Sequence, residues 1–388
     1  MTGSETDISA GVLSLHWGYS PGGVAKYGVL LDRAAKRYGI ELLHLCIRGG
    51  AWPVDTETLA QLGAREIIIR SRWDTRWIGT LASCLKKLNP ALVMTHGFNG
   101  HFVVQLMSVF RYYTGPTVCS YHGQYHATTF AREFPGRVFN RFTEWYIGKS
   151  LRTMAVAEYT KDYLIERGVS PDRVDVIHNG IEDVRLDEGV GQRLRRIWRV
   201  TPANTVIGVA SRLDPVKGVR YLVSAFTRLA ARHESIVLVL VGSGTEVKHL
   251  EKQIDTCGLT ERVRFLGFRS DVAACLAAFD IFVLPSVAEY HSIGLLEAMR
   301  AAKPIVATNV GGNTESVRDA KEALVVPPES AEALEEALER LLSDQPLCER
   351  LASNARRRYL EEFSEEVMLM KTAAWLDECA TLALSHRA

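Results

Sequence analysis

Cysteine is scarce in this chain and unpatterned. The seven residues, Cys46, Cys84, Cys119, Cys257, Cys275, Cys348 and Cys379, are odd in number and form no C-x-x-C pair. That excludes a recognisable disulfide framework or zinc-ligand spacing and points to a reducing compartment. Charge of one sign is missing too: Lys and Arg number 46 against 45 Asp and Glu, a net charge of +1, which gives no case for nucleic acid as a partner. No apolar run approaches the ~18 residues of a membrane span, and the opening MTGSETDISAG lacks an apolar signal core. The expectation is a cytoplasmic protein that at most rests on the cytoplasmic face of a membrane. A complete G-x-G-x-x-G is also lacking. Val241-Gly242-Ser243-Gly244 begins one, but it has no third glycine and follows a late strand, which disfavours a nicotinamide oxidoreductase.

What is present is the composition of a soluble globular protein, 47% hydrophobic and 23% charged, in 388 residues. That length exceeds one ordinary core, so two domains are expected. Short apolar runs alternate with helical-period segments from end to end. The strand candidates of the first half are Val12–His16, Glu41–Ile47, Glu66–Arg70, Ala91–Thr95, Thr117–Tyr121, Arg152–Ala155 and Val174–Ile177. Those of the second are Thr205–Ala210, Ile236–Val241, Val263–Leu266, Ile281–Leu284, Pro304–Ala307 and Ala323–Val326. Repeated βα alternation predicts parallel sheets covered on both faces, here twice over: an α/β protein of two doubly wound, Rossmann-like domains. The polar segment after Asn179-Gly180 sets the expected boundary, with residues 1–182 in the first domain and 183–363 in the second. The helical end of the chain, residues 364–388, is expected to pack back on the first domain.

Doubly wound sheets bind ligands beyond the carboxyl ends of their strands, so the cleft between two facing domains is the expected site. The motifs fall at such ends. Ser20-Pro21-Gly22-Gly23 follows the first strand, where glycines let the backbone approach a phosphate or sugar closely, although an ordinary Gly-rich turn reads the same way. Arg212-Leu213-Asp214-Pro215-Val216-Lys217-Gly218 follows the first strand of the second half. Its two cations could clamp a diphosphate or simply be solvated surface charge.

The stretch Asp280–Val317 combines a strand, the acid Glu289, a helix start at Ser292-Ile293-Gly294-Leu295 and a second acid, Glu297. With Ser292 as N-cap, amides at the helix start attract phosphate. The two carboxylates can accept hydrogen bonds from hydroxyls, as a nucleotide sugar would require. The plainer alternatives are a dipole-stabilising acid for Glu289 and a solvated helical acid for Glu297. His122, in Ser120-Tyr121-His122-Gly123, and His96 end strands of the first half, where each is a cleft-facing candidate or a structural histidine.

Taken together these residues resemble the retaining GT-B glycosyltransferases of family 4, also called glycosyl transferases group 1. The elements that carry the resemblance are Val176-Ile177-His178-Asn179-Gly180-Ile181, Arg212-Leu213 through Lys217-Gly218, Val263-Arg264-Phe265-Leu266-Gly267, and the Glu289, Glu297 pair with its following Ala298-Met299. Gly22-Gly23 matches the amino-terminal glycine loop more loosely. The resemblance implies GT-B architecture, an acceptor-side domain over 1–182 and a nucleotide-sugar donor domain over 183–363. It implies Arg212 and Lys217 on the donor diphosphate, Glu297 on the ribose, Glu289 on the transferred sugar, and amides of Ile293, Gly294 and Leu295 completing the cradle behind Ser292. Gly22 and Gly23 would approach the donor, the Gly267–Asp271 loop would flank the base, and His122 would sit beside the reacting sugar.

The implied reaction moves a sugar, from a UDP-sugar by preference, to a glycan, lipid-linked or small-molecule hydroxyl acceptor, with retention and without a metal or cofactor. A sugar-nucleotide epimerase or hydrolase, or a non-catalytic sugar-nucleotide binding module, is the alternative. Two positions depart from the pattern. Ser292 and Ala302 stand where many relatives carry glycine, and Ser292 and its neighbour His291 could bear on which sugar fits. Phe134–Lys149, FPGRVFNRFTEWYIGK, mixes aromatics with Arg137 and Arg141 and reads either as a core-packed amphipathic helix or as a peripheral membrane contact.

Overall fold

The computed structural model describes residues 11–18, 23–49, 55–70, 74–122, 147–187 and 189–385. Gly22, and the Phe134–Tyr146 part of the aromatic and basic stretch, lie outside the described residues. The chain divides into two compact units: unit 1 is Met1–His178 with Met368–Ala388, and unit 2 is Asn179–Val367.

Unit 1 holds a seven-stranded sheet of β1 (Val12–Trp17), β2 (Leu42–Gly49), β3 (Arg65–Ile69), β4 (Leu92–His96), β5 (Thr117–Tyr121), β6 (Arg152–Ala155) and β7 (Val174–Val176). Their order is β3-β2-β1-β4-β5-β6-β7, and every neighbouring pair is parallel. The last long helix, Glu365–Ser385, supplies Met368, Leu369, Trp375, Leu376, Cys379 and Ala383 to the same buried cluster as Val12, Leu92, Met94 and Val118. Each such Leu or Met side chain contributes roughly 1.5–3 kcal/mol on full burial. A polar tie adds direction: Trp375 Nε1 donates to Asp175 Oδ2 at 2.7 Å, and Arg152 holds the same carboxylate from β6.

Unit 2 holds a six-stranded sheet of β8 (Thr205–Ala210), β9 (Ile236–Val241), β10 (Val263–Gly267), β11 (Ile281–Leu284), β12 (Ile305–Thr308) and β13 (Leu324–Val326). The order is β10-β9-β8-β11-β12-β13, again all parallel. Burial on both faces explains why β9 reads as the unbroken apolar run IVLVLV. Alternate residues point to opposite faces, so Ile236, Leu238 and Leu240 enter one cluster while Val237, Val239 and Val241 enter another. The first cluster is roofed by the helix Val219–Ala230, whose Leu222, Val223, Phe226 and Leu229 recur at helical spacing. In both sheets the strand order reverses once, between β1 and β4 and between β8 and β11. Those reversals are where helices leave to opposite faces and a crevice opens at the carboxyl ends.

Candidate active site

The reversal in unit 2 brings together two of the motifs. Arg212 and Lys217 follow β8, Glu289 and Ser292 follow β11, and the two strands are hydrogen-bonded neighbours. Lys217 Nζ meets Glu289 Oε1 at 2.6 Å, both side chains largely buried at 18% and 8% exposure. Ser286 Oγ donates to the same Oε1 at 2.7 Å. The chain reaches this geometry through a short 3-10 turn, Pro215–Lys217, ended by Gly218 at φ +61°. A Cβ at Gly218 would fall 2.0 Å from the Pro285 carbonyl oxygen, so only glycine lets the two loops close on one another.

Arg212 turns elsewhere. Its guanidinium pairs with Asp214 Oδ2 at 2.6 Å while remaining 69% exposed. Asp214 is fixed in turn by the Thr245 amide at 3.0 Å and hydroxyl at 3.1 Å. The Thr245 amide bond first, and then the neighbouring charges of Arg212 and Lys217, hold the Asp214 carboxyl below the usual carboxylate range. Gly242, read in the sequence as a failed fingerprint, has a different purpose. It sits at φ +137° with its Cβ position 1.8 Å from the Ser211 carbonyl oxygen, so it admits the loop that carries Arg212.

Ser292 is the N-cap of the helix Ile293–Arg300, its Oγ accepting from the Leu295 amide at 3.4 Å. The Leu295 amide is therefore engaged by the cap, and Ile293 and Gly294 present the remaining amides of the first turn. Glu297 is half-buried on the same helix, one turn further along. Gly267 closes β10 at φ +65°, exposed and with open space around its Cβ position. His291 is 5% exposed, its Nε2 lies 3.1 Å from Ser316 Oγ, and its ring packs against Phe363. Ser292 is thus engaged in capping and His291 is buried. Ala302 stands in the left-handed region at φ +50°, which is the physical reason glycine suits that position.

Unit 1 treats its reversal differently. Gly23 opens the helix Gly23–Tyr38 after β1, and His122 follows β5. Register pairs His44 of β2 with Ser14 of β1, two residues before His16, and pairs Leu15 with Thr95, one step before His16 and His96. The His16 and His96 rings stack with centroids 4.2 Å apart, His16 and His44 are 5.8 Å apart, and His96 and His122 are 6.5 Å apart. Ser14 Oγ lies 2.9 Å from His16 Nε2 and 2.8 Å from His96 Nε2. One hydroxyl proton serves two ring nitrogens, so one imidazole donates to Ser14 and the other accepts from it. Tyr27 packs its ring on His96 and His122. Burial, with mutual repulsion added, drives His16 and His96 well below the ordinary imidazole value, and burial brings His44 and His122 down to about 4.

Sequence reasoning missed Ser286, Asp214 as a brace for Arg212, and Ser14. Serine and aspartate near strand ends are too common to stand out. Among the described residues no group of three or more His, Cys, Asp or Glu side chains is placed to hold a metal ion. Among them, too, no helix is long and apolar enough to cross a membrane.

Comparison with known proteins gives the geometry a family. Residues 192–358 match the model of "Glycosyl transferases group 1", and residues 21–185 match that of "Glycosyltransferase Family 4". The chain is 31% identical over 231 residues to an uncharacterized glycosyltransferase of Methanocaldococcus jannaschii, an alignment covering 58% of this chain and 59% of the relative. It is 29% identical over 246 residues to the alpha-D-kanosaminyltransferase of Streptomyces kanamyceticus, covering 60% of this chain and 64% of the relative. The chain thus spans less than two thirds of the length of these relatives. Among solved structures, Anabaena Alr3699/HepE in complex with UDP superposes with a TM-score of 0.81 at 23% identity, over 95% of this chain and 100% of that one. A glycosyltransferase from Rickettsia africae superposes with a TM-score of 0.79 at 20% identity, over 96% and 99%. With a Rossmann-like sheet in each unit and a match to each of the two models, the chain is a GT-B-fold protein related in its halves to Glycosyltransferase Family 4 and the glycosyl transferases group 1.

Proposed function

We propose that this protein transfers a sugar from a UDP-sugar to a hydroxyl acceptor in glycan, polysaccharide or glycoconjugate synthesis, with retention of configuration at the anomeric carbon. The observation that carries the reading is the buried Lys217–Glu289 pair beside the start of the helix Ile293–Arg300, at the strand-order reversal of unit 2. A cation, an acid and free amides at one strand-end crevice suit a diphosphate joined to a polyol. Anabaena Alr3699/HepE, solved with UDP, with UDP and glucose and with UDP-glucose, supports a UDP-sugar as donor.

In this reading Arg212 and Lys217 neutralise the departing diphosphate, Glu289 binds hydroxyls of the transferred sugar and Glu297 those of the ribose. The amides of Ile293 and Gly294 hold a phosphate oxygen, and the loop after Gly267 flanks the base. The bond from the anomeric carbon to the diphosphate oxygen breaks as the acceptor oxygen bonds to that carbon on the same face, and the acceptor proton passes to the leaving phosphate oxygen. Electrostatic stabilisation of the leaving group and positioning of both substrates carry the rate. The scheme requires no metal. The acceptor is a glycan, a lipid-linked or a small-molecule hydroxyl compound, reached in the cytoplasm or at the cytoplasmic face of a membrane.

A thermal-shift screen of the full chain against UDP-, GDP- and ADP-sugars tests the reading. A ligand at a hundred times its Kd stabilises the native state by about 2.7 kcal/mol, and the UDP-sugars are expected to give the largest shift. A flat response to all three classes would sink the proposal. Product analysis with donor alone separates transfer from epimerisation or hydrolysis.

A further inference from the structure

Glu289 is held at one oxygen only. Lys217 Nζ and Ser286 Oγ both meet Oε1, at 2.6 and 2.7 Å, while Oε2 has no partner among the described residues and is not sealed from solvent. Ser286 is itself fully buried, and its position is fixed from a third strand end. Thr308, the last residue of β12 and 1% exposed, donates its hydroxyl to the Ser286 carbonyl oxygen at 2.6 Å. Thr308, Ser286, Glu289 and Lys217 thus form a continuous chain of contacts across the ends of β12, β11 and β8.

This arrangement answers a difficulty in the proposed mechanism. A diphosphate arriving at Lys217 competes with Glu289 for the same ammonium. A nearly buried carboxylate stripped of its cation is costly unless another donor remains. We infer that Ser286 is a positioning residue for donor-sugar recognition: its hydroxyl keeps Glu289 oriented, with Oε2 directed to the hydroxyls of the transferred sugar, when Lys217 is drawn to the diphosphate. The inference rests on the reading of this site as a UDP-sugar site. Both UDP and a UDP-sugar draw Lys217, but only the sugar reads Oε2, so Ser286 is expected to strengthen binding of the UDP-sugar more than binding of UDP.

Titration calorimetry of the full chain with UDP and with a panel of UDP-sugars, UDP-glucose first, reads this directly. Ser286→Ala is expected to weaken the UDP-sugar about tenfold more than it weakens UDP, the loss of one hydrogen bond to a charged group whose second oxygen only the sugar contacts. Ser286→Thr, which keeps the hydroxyl, is expected to restore the preference for the UDP-sugar. Equal weakening of both ligands, or weakening of neither, overturns the inference, because a merely structural serine would not distinguish them. Should Ser286→Ala fail to fold, Ser286→Cys, a weaker donor of similar size, is judged by the same ratio. Wild-type protein that binds neither UDP nor any UDP-sugar overturns the proposed function itself, a result separable from the first.

Discussion

Unit 1 and unit 2 solve one topological problem with opposite electrostatics. At the reversal between β1 and β4, unit 1 sets neutral, stacked imidazoles: His16, His44 and His96, with His122 alongside. At the reversal between β8 and β11, unit 2 sets an ion pair, Lys217 with Glu289, and a second cation, Arg212, on a braced loop. The same parallel sheet accepts either solution because side chains beyond the strand ends are not part of its core. The difference lies in what disturbs each. A charge added to unit 1's row meets buried neighbours that cannot compensate it, whereas a charge removed from unit 2 leaves its partner unpaired.

The strongest way to break the comparison is to remove one charge from unit 2. Lys217→Met leaves Glu289 with Ser286 alone and is expected to cost about 3 kcal/mol of unit 2 stability. Trp198, the single tryptophan of unit 2, reports this in urea unfolding of the fluorotryptophan-labelled chain, where its ¹⁹F resonance is read apart from those of unit 1. The double variant with Glu289→Gln should regain most of the loss while still failing to bind a UDP-sugar. A stability unchanged in the single variant would show that the pair is not a buried one in solution.

Acid is the corresponding probe for unit 1. The folded His44 and His122 values of about 4 lie below the ordinary 6.5, and those of His16 and His96 are lower than ordinary as well. Between about pH 6.5 and 4 the unfolded chain therefore binds more protons than the folded one. Stability is full above pH 6.5 and is lost as pH falls through that window, on the order of 3 kcal/mol from His44 alone. Asp32, beside His44, opposes part of this. Following unit 1 by its own tryptophans in a Trp198→Phe background, the unfolding midpoint should fall steeply from pH 6.5 to 4. The ¹⁹F resonance of Trp198 in the fluorotryptophan-labelled chain should report a flatter profile for unit 2. Equal slopes would erase the contrast.

The smallest effect sharpens the comparison by relieving strain in unit 2 without touching charge. Ala302→Gly removes a left-handed alanine, worth about 1–2 kcal/mol, against a glycine entropy cost of about 0.5–1 kcal/mol. A net gain of roughly 0.5–1 kcal/mol in the Trp198 transition is expected.

Much of the fold was legible in the sequence. Each of the thirteen strands among the described residues lies within a residue or two of an expected run, most plainly the central ones, which are buried on both faces and leave no polar alternation to blur them. Helix starts carry less signal: the helix Val190–Ile197 opens after nothing more distinctive than the turn at Gly189. At the candidate site, Lys217 and Glu289 were visible as charges after strand ends. Their meeting was not, because 72 residues separate them and only the β8–β11 pairing brings them together. The inward turn of His291 and the bond from Ser286 depend on rotamers and burial that no spacing encodes. The histidine cluster was invisible for a similar reason, since His16, His44 and His96 come from three strands and meet only when those strands pair in the sheet.

The discontinuity of unit 1 fixes an order of maturation. Unit 2 is one uninterrupted segment, Asn179–Val367, complete as soon as it has left the ribosome, whereas unit 1 waits for the helix Glu365–Ser385. Until then Leu92, Met94 and Val118 lack the Met368, Trp375 and Leu376 that cover them. The half made first is therefore the half finished last, and during synthesis its open apolar face is the stretch most in need of a chaperone. A chain cut after Val367 would lose cover from unit 1 and leave the segment of unit 2 whole.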